Sequence, residues 1–93
     1  MKELIINDKR YHVIENVKEA ISTEVLEQKI TDYFQPFDYI VGDWAYGKLR
    51  LKGFNNKQNK NFNKMNDIDL VDDYIKAHCA YGCRYFIIAK IKD

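Results

Sequence analysis

From Asp38 to Phe54 the chain reads DYIVGDWAYGKLRLKGF, two alternating runs on either side of Ala45-Tyr46-Gly47. Tyr39, Ile40 and Val41 favour strands, as do Leu49 and Leu51 in this setting. A three-residue hairpin loop places its last residue in the left-handed region, where glycine fits at almost no cost, and Gly47 stands there. Such a turn sets Trp44 opposite Lys48, Gly42 opposite Arg50 and Ile40 opposite Lys52. Side chains alternate between the two faces of a strand. One face of the predicted hairpin therefore carries Tyr39, Val41, Leu49 and Leu51 and belongs in a core. The other carries Ile40, Gly42, Trp44, Lys48, Arg50, Lys52 and Phe54.

This second face raises the functional question. Lys48, Arg50 and Lys52 repel one another, and in this register no acid stands opposite them. Gly42 leaves space beside Arg50 through which a flat group reaches the backbone. Trp44 offers a planar surface for stacking, or for a cation–π contact with Lys48 or Arg50. The plainer reading is a solvated strand face with Trp44 covered by another segment, since charged rows on strands usually face water.

A chain of 93 residues with 46% hydrophobic content suits a single domain spanning 1–93 with one core. No stretch approaches the roughly 18 apolar residues of a membrane-spanning helix, so no membrane partner is expected. The start, MKELIIN, runs into a strand pattern without the apolar region of a signal peptide, which makes the cytoplasm the expected location. Net charge is only +1, but it is unevenly spread. Between Trp44 and Asn66 stand Lys48, Arg50, Lys52, Lys57, Lys60 and Lys64 with no acid, and Asp67, Asp69, Asp72 and Asp73 follow closely. Such segregation points to a local basic surface.

Taken in order, Glu3–Ile6 and Tyr11–Ile14 flank Asn7-Asp8-Lys9-Arg10, whose asparagine and aspartate are turn formers, and read as a first hairpin. Ser22-Thr23 suits a helix N-terminus. Leu26, Ile30, Tyr33, Phe34 and Phe37 then form an apolar stripe, and Gln35 before Pro36 marks the stop. After the central hairpin, NNKQNKNFNKMN (55–66) is polar loop, with Phe62 or Met65 expected to pin it. Asn66 or Asp67 caps a second helix with Leu70, Val71, Tyr74, Ile75 and His78 on its apolar side, and Gly82 ends it. RYFIIAKI (84–91) is apolar on both alternations, as for a central strand covered on both faces. The predicted order is β-β-α-β-β-α-β, an α+β domain with a mainly antiparallel sheet and two amphipathic helices packed on it.

Two segments together, DYIVGDWAYGKLRLKGF (38–54) and DYIKAHCAYGCRYFII (73–88), resemble the YutD-like family of small bacterial proteins. The resemblance covers about half of the chain. It implies a compact α+β domain of unassigned activity, with no catalytic or binding residues to carry over.

Cys79 and Cys83 are spaced C-x3-C, unlike the C-x2-C of redox and zinc motifs. Two cysteines and two histidines make a poor inventory for tetrahedral zinc, and neither a metal nor another cofactor is expected. In the cytosol the pair reads as packed thiols, with a reversible thiol switch as the alternative. His12, alone on its strand, reads as structural or solvated. No phosphate-binding glycine loop, HExxH or G-x-S-x-G occurs, so an enzyme ranks last. Asp43 is the one carboxylate placed for acid–base chemistry, and hydrogen bonding to its turn is the commoner role. The leading functional expectation is a small binding module for an anionic partner, RNA or another polyanion. Trp44, Tyr46, Lys48, Arg50, Lys52, Lys57, Lys60 and Lys64 would form its contact surface. The alternatives are an adaptor domain docking a protein through the same face, anchored by Trp44 and Phe54, and a thiol sensor using Cys79 and Cys83.

Overall fold

A computed structural model describes residues 2–78 and 82–91. The strands are β1 (Glu3–Ile6), β2 (Lys9–Val17), β3 (Tyr39–Ala45), β4 (Lys48–Phe54) and β5 (Tyr85–Lys90), and the helices are α1 (Thr23–Lys29) and α2 (Val71–His78). They follow one another in the order read from the sequence. All five strands form one antiparallel sheet ordered β1-β2-β5-β3-β4. The fold is α+β.

β5 lies in the middle, as its apolar run requires. Phe86 and Ile88 point into a core with Ile6, Tyr11, Leu26, Ile30, Ile40 and Leu49 on the α1 side. Ile87 points the other way and joins Val41 and Phe54, onto which α2 lays Val71, Tyr74 and Ile75. The sheet is thus roofed by α1 on one face and by α2 on the other.

The central hairpin differs from the predicted one by a single residue. Ala45 pairs with Lys48, so the loop is the two residues Tyr46-Gly47, both with positive φ (54° and 75°). This is the turn whose twist suits a right-twisted hairpin, and Asn7-Asp8 builds the same kind between β1 and β2 with φ of 52° and 67°. Because strand faces alternate, a one-residue slip exchanges them. Trp44 stands opposite Leu49, and Gly42 opposite Leu51, both on the α1 side. Lys48, Arg50 and Lys52 share the α2 side with Tyr39, Val41, Asp43 and Phe54. Gly42 does not open a path for a flat ligand: a Cβ there would lie 2.3 Å from Phe86 Cζ. The protein's own ring fills that space.

The first helix is shorter than its stripe. It ends at Lys29, and Ile30 is already extended (φ −81°, ψ 105°). The β-branched pair Ile30-Thr31 disfavours another helical turn, and the Asn7 amide donates to the carbonyls of Glu27 (3.0 Å) and Ile30 (3.2 Å), satisfying the frayed end. Tyr33, Phe34 and Phe37 form an aromatic cluster with centroids 5.0–6.2 Å apart, and Phe37 covers Gly53.

Residues 55–66 are held by asparagines. Asn55 is fully buried. Its Oδ1 accepts from Asp38 N (2.8 Å) and Asn59 Nδ2 (3.0 Å), its N–H donates to Asn66 O (2.7 Å), and its carbonyl accepts from Ile68 N (3.1 Å). Asn63 and Asn66 cap each other's backbone in a capping box. Phe62 is half-buried, whereas Met65 is 79% exposed and pins nothing.

Candidate functional site

The residues singled out in the sequence separate into four groups. Trp44 is half-buried on the α1 side, its Nε1 donating to Ala20 O at 2.8 Å and its ring lying 5.1 Å from the Arg84 guanidinium. Its cation–π partner is thus Arg84, not Lys48 or Arg50. The predicted indole-bearing cationic face is therefore two faces, with the indole on one and the cations on the other.

The second group is the cationic row itself. Arg50 has the acid that the three-residue turn had denied it. Directly across the strand pair stands Asp43, which is buried and accepts from both Arg50 Nε (3.1 Å) and the Arg50 terminal nitrogen. That terminal nitrogen also donates to His78 O at 2.7 Å, covering a carbonyl at the α2 C-terminus. The Asp43 hydrogen bond and charge raise the guanidinium pKa above its already high value. Asp43 is accordingly a structural anion, bonded across the hairpin and not to the turn. Lys52 is half-buried, with Nζ 5.2 Å from the Phe54 ring and 5.7 Å from that of Tyr74. Burial first, and then the nearby Asp43 charge, raise the Tyr74 phenol pKa. Lys48 and Tyr46 at the hairpin tip are exposed, Tyr46 completely.

The third group lies on the 55–66 loop. Lys57 sits 3.8 Å from Asp69, both well exposed, a pair of little energetic weight. Lys60 faces elsewhere, lining a shallow hollow of about 520 Å³ with Gln35, Pro36, Asp38 and Lys90. Lys64 does reach the β4 side. It joins Lys52, Phe54, Met65, Leu70, Asp73, Tyr74 and His78 around an open groove of about 400 Å³ between β4 and α2, whose lining thus holds one carboxylate beside the two lysines.

The last group is the cysteine pair. Cys79 lies outside the described residues; Cys83, half-buried just before β5, is disulfide-bonded and not the packed free thiol expected from the sequence. Among the described residues no cluster of three or more His, Cys, Asp or Glu is arranged to hold a metal. No helix among them is long and apolar enough to cross a membrane.

The groove is what sequence reading missed. Its apolar rim is Met65 and Leu70, 79% and 46% exposed. Leu70 belongs to the α2 stripe by spacing, but it sits in the 3-10 turn Ile68–Leu70 that precedes the helix and so turns outward. Tyr74 and His78, one turn apart, stack at 4.4 Å and form the wall.

A family model described as "Putative antitoxin YutD-like" matches residues 5–89. The chain belongs to the YutD-like family. A relative described as "Putative antitoxin YutD", from Bacillus subtilis (strain 168), is 36% identical over 89 residues, covering 96% of this chain and 98% of its own. The solution NMR structure of protein yutD from B. subtilis superposes with a TM-score of 0.79 at 34% identity, spanning all of this chain and 84% of that one. The two segments that carried the resemblance, 38–54 and 73–88, meet in space: β4 and α2 are the two sides of the groove. In this YutD-like chain the familiar segments supply Lys52, Phe54, Asp73, Tyr74 and His78 of the groove, while Lys64, Met65 and Leu70 come from the stretch between them.

Proposed function

We propose that this YutD-like domain is a non-catalytic binding module that docks a protein partner on the groove between β4 and α2. The observation that carries the reading is the exposed apolar pair Met65 and Leu70 beside the half-buried Lys52 and the Tyr74–His78 stack. Exposed apolar side chains beside aromatic residues mark interaction surfaces, and Met and Tyr are enriched at protein interfaces. Lys48 and Lys64 make no ion pair among the described residues, so the surface favours an acidic rim on the partner. The relative's description as "Putative antitoxin YutD" fits a domain that works through a partner.

A polyanion reading keeps less support. It relied on an indole between cations, and here the indole lies on the opposite face while Arg50 is engaged by Asp43 and by the end of α2. Of the eight residues, Lys52 and Lys64 line the groove, while Tyr46 and Lys48 stand exposed at the hairpin tip.

The test is affinity capture with the wild-type domain and with Met65→Glu/Leu70→Glu, before and after nuclease treatment. A partner that survives nuclease and is lost by the double variant, yet kept by Lys60→Glu, supports groove docking. A bound species that vanishes with nuclease, or a protein retained by the double variant, overturns it.

A further inference from the structure

β4 is an edge strand, and its backbone has one side in use and one open. In the hairpin register the pairs Ala45–Lys48, Asp43–Arg50, Val41–Lys52 and Tyr39–Phe54 bracket a two-residue turn. They are the pairs that exchange ladder hydrogen bonds. The N–H and C=O groups of Leu49, Leu51, Gly53 and Asn55 therefore point away from the sheet. Asn55 shows that this outer row is competent. It gives its N–H to Asn66 and its carbonyl to Ile68, forming a parallel bridge with Asp67. The chain begins a sixth strand there and goes no further along the edge. The outer groups of Leu51 and Gly53 find no hydrogen-bond partner among the described residues. Leu51, half-buried, and Gly53, buried against Phe37, border a cleft of about 240 Å³ that is also lined by Tyr33, Phe37, Lys52, Asn63, Met65 and Asn66.

We infer that this cleft accepts an extended peptide segment of a partner protein, which adds to the sheet as a strand against Leu51–Gly53. The inference rests on the docking reading above and gives the partner its chemistry. Strand addition draws affinity from main-chain hydrogen bonds and specificity from alternating side chains. On the α2 side the incoming strand meets Lys52, flanked by Lys48 and Lys64, and carboxylates suit it. On the other side it meets Tyr33, 69% exposed, and Phe37, and apolar residues suit it. The occupant is thus an acidic–apolar alternating strand. A second copy of β4 is the wrong occupant. Two such edges would bring Lys48, Arg50 and Lys52 against their own counterparts, and edge lysines oppose that pairing.

The probe is a peptide of about six residues, a common strand length, alternating glutamate with valine. It is titrated into the ¹⁵N-labelled domain. Two controls accompany it: the same peptide N-methylated at alternate residues, and a lysine–valine version. Strand addition is expected to shift the Leu51 and Gly53 amides and slow their hydrogen exchange. Either control should bind at least about tenfold more weakly, the loss of one or two hydrogen bonds or of charge pairing. The domain variant Lys52→Glu should reverse the preference between the two charged peptides. Equal binding of the N-methylated peptide, or no binding of any, overturns the inference. Shifts confined to Met65, Leu70 and His78 overturn strand addition but leave groove docking standing. A full edge response with partner capture indifferent to Met65→Glu/Leu70→Glu leaves strand addition standing and removes the groove.

Discussion

At Gly42 the absence of a side chain is a packing requirement. A Cβ there would meet two Phe86 ring atoms at 2.3 and 2.4 Å, and Phe86 itself is fully buried on the central strand. Gly42→Ala should therefore lower stability by about 1–3 kcal/mol, the usual range for overpacking, read as a lower urea midpoint with unchanged m-value. Tyr85 tests a different force. Its hydroxyl donates to the Glu15 carboxylate at 2.6 Å, and that bond, with burial behind it, pushes its pKa up to about 12. A phenol whose pKa is higher folded than unfolded contributes stability that is complete below pH 10 and lost as pH rises toward 12. Tyr11 and Tyr74, raised mainly by burial, act with the same sign. Melting temperature should fall through this window, and Tyr85→Phe should remove part of the fall. Arg50 is a poor probe of binding, because its removal would strip both the buried Asp43 and the end of α2 of a partner.

At the scale of elements, the hairpin turn decides which face each side chain takes. Tyr46 holds a φ of 54° at the first turn position, where asparagine is preferred because its short polar side chain hydrogen-bonds locally in the left-handed region. Tyr46→Asn is expected to raise stability by up to about 1 kcal/mol, measurable by chemical denaturation. The same turn marks the limit of what could be read in advance. Ala45-Tyr46-Gly47 is compatible with a two- or a three-residue loop, because Gly47 tolerates positive φ in either. Choosing the longer one exchanged Trp44 for the cation row. β1 was legible to the residue, but its turn was read as Asn7-Asp8-Lys9-Arg10, whereas Ile6 already pairs with Lys9 and β2 runs from Lys9 to Val17. β5 was legible because only a central strand is apolar on both alternations. The end of α1 was not legible. It depends on Asn7, more than fifteen positions away, reaching the carbonyls of Glu27 and Ile30. The groove was invisible for a related reason, since Leu70 keeps helical spacing while standing in a 3-10 turn.

For the molecule as a whole, the fold was read from the order of elements along the entire chain, and segments 38–54 and 73–88 carried the family resemblance that the match over residues 5–89 bears out. Asn55 ties the start of β3, the end of β4 and the approach to α2 through three hydrogen bonds to residues remote in sequence, Asp38, Asn66 and Ile68. That knot has a kinetic corollary. The hairpin is local and can form early, whereas Asn55 finds Asn66 and Ile68 only after the intervening chain has closed, so its contacts belong late on the folding route. Asn55→Ala should accordingly leave the refolding limb of a chevron plot almost unmoved and steepen the escape from the native state, shortening its lifetime far more than it delays its arrival.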